Sequence, residues 1–455
     1  MKNGKRSSFS GKLGYVLAAA GASVGLGNIW RFPYLAAKYG GGIFLIIYIV
    51  LALTFGYTMI VAETAIGRMT RKSPVGAFKS FGKKKWLSFG GWINAVIPVL
   101  IVPYYSVIGG WVIKYLVEYF RGNAKQLAED GYFTDFISNG VSTELCFMAF
   151  CAFTLIIIFA GVQNGIERVS KIMMPILIVL SVIIAVYSVT RPGALAGVKY
   201  FLVPNVKNFS WMTVVSAMGQ MFYSLSIAMG ILITFGSYMK KDTAIEDSTR
   251  NVEVFDTGIA IMAGLMIIPA VFAFSGGDPD TLQAGPSLMF ITIPKVFQNM
   301  GFGTVIGIVF FLLVLFAAVT SSIALTESAV STFEDELGWG RKKATVLVGV
   351  IMLAFGSLSS LGYGPLAGIK IIGMQFLDLF DFLTNSVMMP IAALLTSLLV
   401  SRVVGIDKIE EEIIHGESAF RRKKVFVVMI KYLCPVFAII ILLSSVANAL
   451  GWIKM

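Results

Sequence analysis

The chain has 455 residues, of which 57% are hydrophobic and only 14% charged, with a formal net charge of +12. A soluble globular chain carries about 25% charged residues, so these few charges cannot coat a water-soluble protein of this size, whereas they suffice where lipid covers most of the surface. The basic excess does not mark a nucleic-acid partner, because the Lys and Arg residues form short clusters between apolar runs, as loops beside a membrane do.

Apolar stretches of about 20 residues are long enough to cross a hydrocarbon core. In chain order they fall near 13–38, 42–70, 88–120, 142–161, 168–190, 212–239, 253–275, 303–336, 343–361, 376–402 and 426–450. The first run, from Leu13, has no small-residue cleavage site with a polar stretch behind it, so it reads as a span rather than a leader. Between the seventh and eighth runs, Gly276, Gly277, Pro279, Gly285, Pro286 and Pro294 predict a structured outer loop, with a short helical hairpin as one arrangement. Cys146, Cys151 and Cys434 sit inside apolar runs with no disulfide or metal spacing, and His415, the one histidine, lies in a charged loop. No long polar linker divides the chain, so 1–455 is expected to be a single all-α transmembrane domain of about eleven helices.

With the N-terminus placed inside, the inner segments hold Lys2, Lys5, Arg6 and Lys12, then Arg68 to Lys85, Arg168 and Lys171, Lys240 to Arg250, Arg341 to Lys343, and Arg402 to Lys424. These clusters account for most of the 37 Lys and Arg residues. The asymmetry predicts a multi-pass protein of the cell membrane with a cytoplasmic N-terminus and, with eleven spans, an external C-terminus.

Two runs are interrupted. The first contains GASVGLGNIWRFP (21–33), too rich in glycine for a regular lipid-facing helix, and the sixth, five segments later, contains SLSIAMG (224–230). Each alone reads equally well as a kink or as close packing at glycine. As a pair at matching positions they predict a 5+5 inverted repeat, about 13–190 and 212–402 with an extra helix at about 426–450, and a binding site where the unwound backbone lines a cavity.

Four motifs carry a resemblance. GASVGLGNIWRFPYLAAKYGGGIF (21–44), GQMFYSLSIAMG (219–230), FAAVTSSIALTES (316–328) and FEDELGWGRKKA (333–344) together resemble the neurotransmitter:sodium symporter family, in the family's order and over nearly the whole chain. The eleven-span count is similar to bacterial members that carry amino acids and lack a twelfth helix. The resemblance implies helices 1 and 6 unwound at mid-membrane and two sodium sites. The first would use the Ser23 carbonyl, the Asn28 side chain, Ser224 and Asp256; the second the carbonyls of Gly21, Val24 and Ala317 with the hydroxyls of Thr320 and Ser321. The bland alternative for Thr320 and Ser321 is a hydroxyl bonded back to its own helix. Asp256 stands where the family's leucine transporter has asparagine. An intramembrane carboxylate is costly unless paired, and its permanent charge could replace the chloride that animal members often need, so chloride-independent transport is expected. Tyr48 and Gln220 occupy family chloride-site positions.

The family's monoamine carriers place an aspartate at the position of Gly25. Glycine there leaves room for a substrate's own carboxylate beside the first sodium, which implies an amino acid. Leu26, Gly27 and Tyr105 would bind that carboxylate, and carbonyls near Ser23 and Tyr223 the amine. Ile101, Tyr223, Ser226, Met229, Ser321 and Leu325, with Ser224 at the edge, would line an uncharged pocket, which favours a neutral, mostly hydrophobic side chain. Ala228 replaces a glycine common in this turn and would narrow the choice. Arg31 and Asp381, with Tyr223 as lid, resemble the family's outer gate; Arg6, Phe9, Tyr238 and Asp335 resemble its inner latch, with Phe9 in place of the usual tryptophan; Glu63 matches a residue that braces unwound backbone. The expected function is therefore sodium-coupled symport of a neutral amino acid by alternating access, with membrane lipid as surroundings, a homo-oligomer possible and no nucleic acid. A non-transporting sensor and a symporter for another carboxylate remain as alternatives. No metal cluster, His-containing triad or phosphate loop supports an enzyme.

Overall fold

The computed structural model describes residues 6–276, 286–449 and 452. Lys2, Lys5, Gly277, Pro279 and Gly285 of the sequence reading lie outside the described residues. In an apolar surrounding every backbone N–H and C=O must be satisfied within the chain, and the described residues meet that demand with helices. Nine of these are long and apolar enough to cross a membrane: Gly42–Thr70, Lys85–Phe120, Gly140–Phe159, Val162–Val189, Ile245–Ser275, Gly303–Leu337, Arg341–Leu361, Phe376–Val404 and Lys423–Asn448. Numbered by their order in the chain, they are spans 2 to 5 and 7 to 11. Span 1 is a broken pair, Lys12–Ser23 and Gly27–Lys38, bent by 53°. Span 6 is also broken, into Trp211–Ser224 and Ile231–Tyr238.

Local chemistry fixes several ends. Ser210 and Thr213 form a capping box at the start of span 6, closing two of the donors that a helix N-terminus leaves open. Span 7 starts at Ile245, about two turns before the apolar run. Glu246 and Asp247 lie in its first turn, where carboxylates suit the helix dipole and where hydropathy gives no signal. Short helices at Pro74–Lys79, Tyr132–Ser138, Ala194–Leu202 and Ile406–Ile414 are likewise invisible to a 20-residue window. In the outer-loop stretch the structure shows one short apolar helix, Leu288–Gln298.

Spans 3 and 8 pack along each other at the centre, with 78% and 72% of their apolar windows buried, against 33% for span 11. Broken span 1 lies between spans 5, 7 and 8, and both halves of span 6 pack on span 2. The second half of span 6 comes close enough to span 2 to exclude side chains. A Cβ on Gly67 would lie 2.0 Å from the Ile233 carbonyl oxygen, and one on Gly236 would lie 2.4 Å from that of Thr64. Neither neighbour is a flexible side chain, so the helices would have to part. Gly67→Val should therefore lower the melting temperature of the detergent-purified protein, with a cost of about 1–3 kcal/mol or more. Gly258→Ala, where a Cβ meets nothing within 4 Å, should leave it unchanged or slightly raised. Equal melting curves for Gly67→Val and the parent would contradict this packing.

Candidate binding site at the two helix breaks

The breaks in spans 1 and 6 face each other. Around them lies a cavity lined by Ala22, Ser23, Gly25, Leu26, Gly27, Asn28, Ile101, Tyr105, Tyr223, Ser224, Ser226, Met229, Ser321 and Leu325. Every residue that the sequence reading assigned to a substrate pocket is in this set. Ala22 was missed; it has no reactive side chain, and its carbonyl is what matters. None of the lining side chains carries a charge.

Unwinding frees backbone groups, and specific side chains meet some of them. The Leu26 amide donates to Tyr105 Oη at 3.3 Å and the Gly25 amide to Asn28 Oδ1 at 3.1 Å. At the other break, the Ala228 amide donates to Glu63 Oε1 at 2.8 Å. Ser226 and Ala228 hold φ of +53° and +60°, a left-handed conformation costly for residues with a Cβ. The Ser226 hydroxyl donates to the Ala22 carbonyl at 3.0 Å, tying one break to the other. Glycine is required on the facing side: a Cβ on Gly25 would lie 2.6 Å from Ser321 Oγ and 3.0 Å from Tyr105 Oη, and one on Gly27 would lie 2.6 Å from the Tyr223 ring.

Two oxygen-rich clusters flank the cavity. In the first, the buried Asp256 carboxylate accepts from Asn28 Nδ2 at 2.8 Å, Ser224 Oγ at 2.9 Å and Tyr48 Oη at 2.9 Å. Among the described residues no cationic side chain pairs with it within 4.0 Å. Gln220 reaches the Gly27 carbonyl at 3.0 Å. In the second, Ser321 Oγ lies 3.2 Å from the Gly21 carbonyl oxygen, 3.1 Å from that of Ala22 and 3.3 Å from that of Val24. One hydroxyl has one proton, so it cannot satisfy three carbonyls together. The Thr320 hydroxyl bonds back to Phe316 and Ala317 of its own helix at 3.0 and 3.1 Å, which is the bland alternative. It nonetheless stands against Gly21, whose added Cβ would lie 3.1 Å from Thr320 Cβ.

The bundle is shut at one end of this site. Arg6 pairs with Asp335 at 2.6 Å, donates to Ser237 and Ser331, and lies 5.0 Å from the centre of the Tyr238 ring. Asp335 also accepts from the Ser73 amide at 2.7 Å. Phe9 is buried edge-on against Tyr15, Phe235 and Tyr238, and its amide donates to the Tyr238 carbonyl at 3.0 Å. Tyr238 donates to Glu327, which pairs with Arg341 at 2.6 Å; the sequence reading passed over this extension because its partners are far apart in the chain. At the opposite end a larger vestibule reaches Trp30, Arg31, Asp381 and Ser444, and Tyr223 lines both it and the inner cavity. Here the expected pair of Arg31 and Asp381 is not joined. Arg31 sits over the Tyr223 ring at 5.3 Å, while Asp381 accepts from Tyr104 at 3.2 Å and Asn385 at 2.6 Å.

Comparison with known proteins agrees with this arrangement. The chain matches the family model described as the sodium:neurotransmitter symporter family over residues 6–134 and 117–452. It is 34% identical over 450 residues to an uncharacterized sodium-dependent transporter, YhdH, of Bacillus subtilis, covering 98% of this chain and 99% of that one. It is 26% identical to the human sodium- and chloride-dependent GABA transporter 2, over 90% of this chain and 75% of that one. Among solved structures it resembles that of MhsT in complex with L-phenylalanine, with a TM-score of 0.87, 34% identity, and coverage of 97% of this chain and all of the other. The chain with its two broken spans is therefore a multi-pass membrane protein that belongs to the sodium:neurotransmitter symporter family.

Proposed function

We propose that the protein is a symporter that uses the sodium gradient to import neutral, mostly hydrophobic L-amino acids across the cell membrane by alternating access. The observation that carries this reading is the uncharged cavity between the breaks, bordered by a lone carboxylate on one side and by under-satisfied carbonyls on the other. A zwitterion fits such a place. Its carboxylate can approach Gly25, take the Leu26 and Gly27 amides and the Tyr105 hydroxyl, and face the positive end of the half-helix. Its ammonium can take carbonyls near Ser23 and Tyr223. Its side chain then lies among Ile101, Ser226, Met229, Ser321 and Leu325, where a second charge would be unpaired. The L-phenylalanine held by MhsT supports a substrate of this class.

Two sodium ions complete the reading. The Ser23 carbonyl, Asn28, Ser224 and Asp256 would bind one. The Gly21, Val24 and Ala317 carbonyls with Thr320 and Ser321 would bind the other, where a cation can do what the single Ser321 proton cannot. In this assignment Asp256 supplies the negative charge beside the first ion, so chloride is not needed. Inward movement of each ion gains about 2.3 kcal/mol per 100 mV. The Arg6–Asp335 latch is the cytoplasmic gate, consistent with the basic inner segments, and the vestibule of Arg31, Tyr223 and Asp381 is the external one. Closure there would bring Arg31 to Asp381 over Tyr223. Spans 1–5 and 6–10 form the two repeats, and both halves of the site come from their first helices.

Reconstituted in liposomes, the protein should accumulate radiolabelled leucine-, methionine-, tyrosine- or phenylalanine-like substrates under an inward sodium gradient and not under a matched potassium gradient. Binding without accumulation would favour a sensor, and neither in folded protein would exclude a neutral amino acid. Gly25→Asp should abolish uptake while the protein still elutes as a folded species, since its Cβ meets Ser321 and its carboxylate takes the substrate's place. Uptake velocity should be the same in chloride and in gluconate. Asp256→Asn should raise the sodium concentration for half-maximal uptake about tenfold or more, as loss of a buried charged ligand does. A large loss of parent activity in gluconate would refute the charge-substitution role of Asp256.

A further inference from the structure

The lipid-facing corner between spans 10 and 11 carries cations that the transport reading does not use. The end of span 10 and the start of span 11 each contain a wider π-helical turn, Leu399–Val404 and Met429–Leu433, and these turns pack on each other. Each carries one exposed cation, Arg402 and Lys431. Lys424, also exposed, lies two turns before Lys431 on the same helix face. Among the described residues none of the three has an ion pair or a hydrogen bond. Three nearby carboxylates are engaged elsewhere, Glu410 with Lys423, Glu412 with Arg68 and Lys241, and Glu253 with Arg422, while the exposed Asp407 and Glu411 pair with none of the three cations.

Their depth is informative. Measured along the helix from Asn448, Lys431 stands about 26 Å away and Lys424 about 36 Å, at 1.5 Å per residue, while the hydrocarbon core is about 30 Å thick. With one edge of the hydrocarbon core placed at the Asn448 end of this helix, the two lysines bracket its other edge. Helical side chains lean toward the N-terminus, so Lys431 leans toward Lys424, and both ammonium groups reach the layer of lipid phosphates. Beside Lys424, on the stretch of helix leading to Lys431, a shallow apolar depression is lined by Lys424, Val425, Val428 and Met429. An ammonium at this depth without a protein partner is costly unless it meets a headgroup.

We propose that Arg402, Lys424 and Lys431 form a binding site for one anionic phospholipid. Its phosphate sits between the two lysines with Arg402 on the adjoining turn, and its glycerol and upper acyl segment cover Val425 and Val428. The site ties the outermost span to span 10 through a shared lipid. Charge complementarity selects an anionic headgroup over a zwitterionic one.

The test is a titration of full-length protein in neutral detergent with short-chain phosphatidylglycerol, phosphatidylcholine or inorganic phosphate, read by thermal unfolding. Phosphatidylglycerol should raise the melting temperature; the other two should not. Lys431→Gln should raise the half-saturating phosphatidylglycerol concentration about fivefold, and Arg402→Gln by a similar factor. Lys431→Arg should keep the parent value, and the exposed control pair Lys342→Gln with Lys343→Gln should not alter it. Should Lys431→Gln fail to fold, Arg402→Gln and Lys431→Arg carry the comparison. An unchanged half-saturation in Lys431→Gln and Arg402→Gln overturns the proposal. So does an equal loss in the control pair, which would indicate diffuse surface charge. A Lys431→Gln variant whose oligomeric mass changes without lipid would place a second copy of the chain on this face, and would also overturn it.

Discussion

A helix that comes apart in the middle of an apolar bundle leaves N–H and C=O groups that no water can reach, and this demand at residues 24–26 and 225–230 organises the rest of the molecule. The free amides are answered by side chains: Tyr105 of span 3 for Leu26, Glu63 of span 2 for Ala228, and Asn28, from the second half of span 1 itself, for Gly25. Each of these partners is itself buried, so spans 2 and 3 must hold still around the breaks. That is the task of the close backbone contacts at Gly67 and Gly236 and of the long central pair, spans 3 and 8.

The carbonyls are answered less completely. Three of them, of which Ala22 also accepts from Ser226, share Ser321, and the Asp256 carboxylate draws its three donors from neutral groups. The site thus carries an excess of acceptors over protons. In water this would matter little, but inside the bundle an excess of negative partial charge is an affinity for small cations. For the proposed amino-acid substrate, the same excess would draw the ammonium and the adjacent half-helix end the carboxylate. Ion and substrate recognition then arise from one defect in two helices, which gives a physical route to coupling: filling one part of the defect changes the field felt by the other.

Much of this was legible in the sequence because the defect has a composition. Glycines at 25 and 27, a serine-rich turn at 224–226 and hydroxyls at 320 and 321 mark the places where backbone and oxygen approach. The eleven apolar runs similarly gave the spans to within a few residues, since lipid enforces their length. The start of span 7 was misjudged because its first turns are charged, and the helix Ile406–Ile414 was missed because it is short and amphipathic. Pairs such as Arg68 with Glu412 and Arg341 with Glu327 join residues whose sequence context reveals only that charge lies near a membrane edge. Likewise, Arg31 and Asp381 were each identifiable, but the sequence does not reveal that each meets other partners, Tyr223 for Arg31 and Tyr104 with Asn385 for Asp381.

That last point sets the two ends apart. At the Arg6 end the closing contacts are numerous and redundant: an ion pair, two hydroxyl acceptors, a cation over an aromatic ring, and a buried phenylalanine packed on three rings. The Phe9 side chain has no polar group and is fully enclosed, so it contributes by packing, beside the hydrogen bond of its amide to the Tyr238 carbonyl. At the Arg31 end three side chains, Leu26, Tyr105 and Tyr223, line both the inner cavity and the vestibule. In the proposed alternating-access cycle, opening the Arg6 end must break several contacts together, whereas closing the other end needs one ion pair to form over Tyr223. Ligands that add contacts across the two breaks are placed to tip that balance, because both breaks lie between the two ends and belong to the helices that reach them.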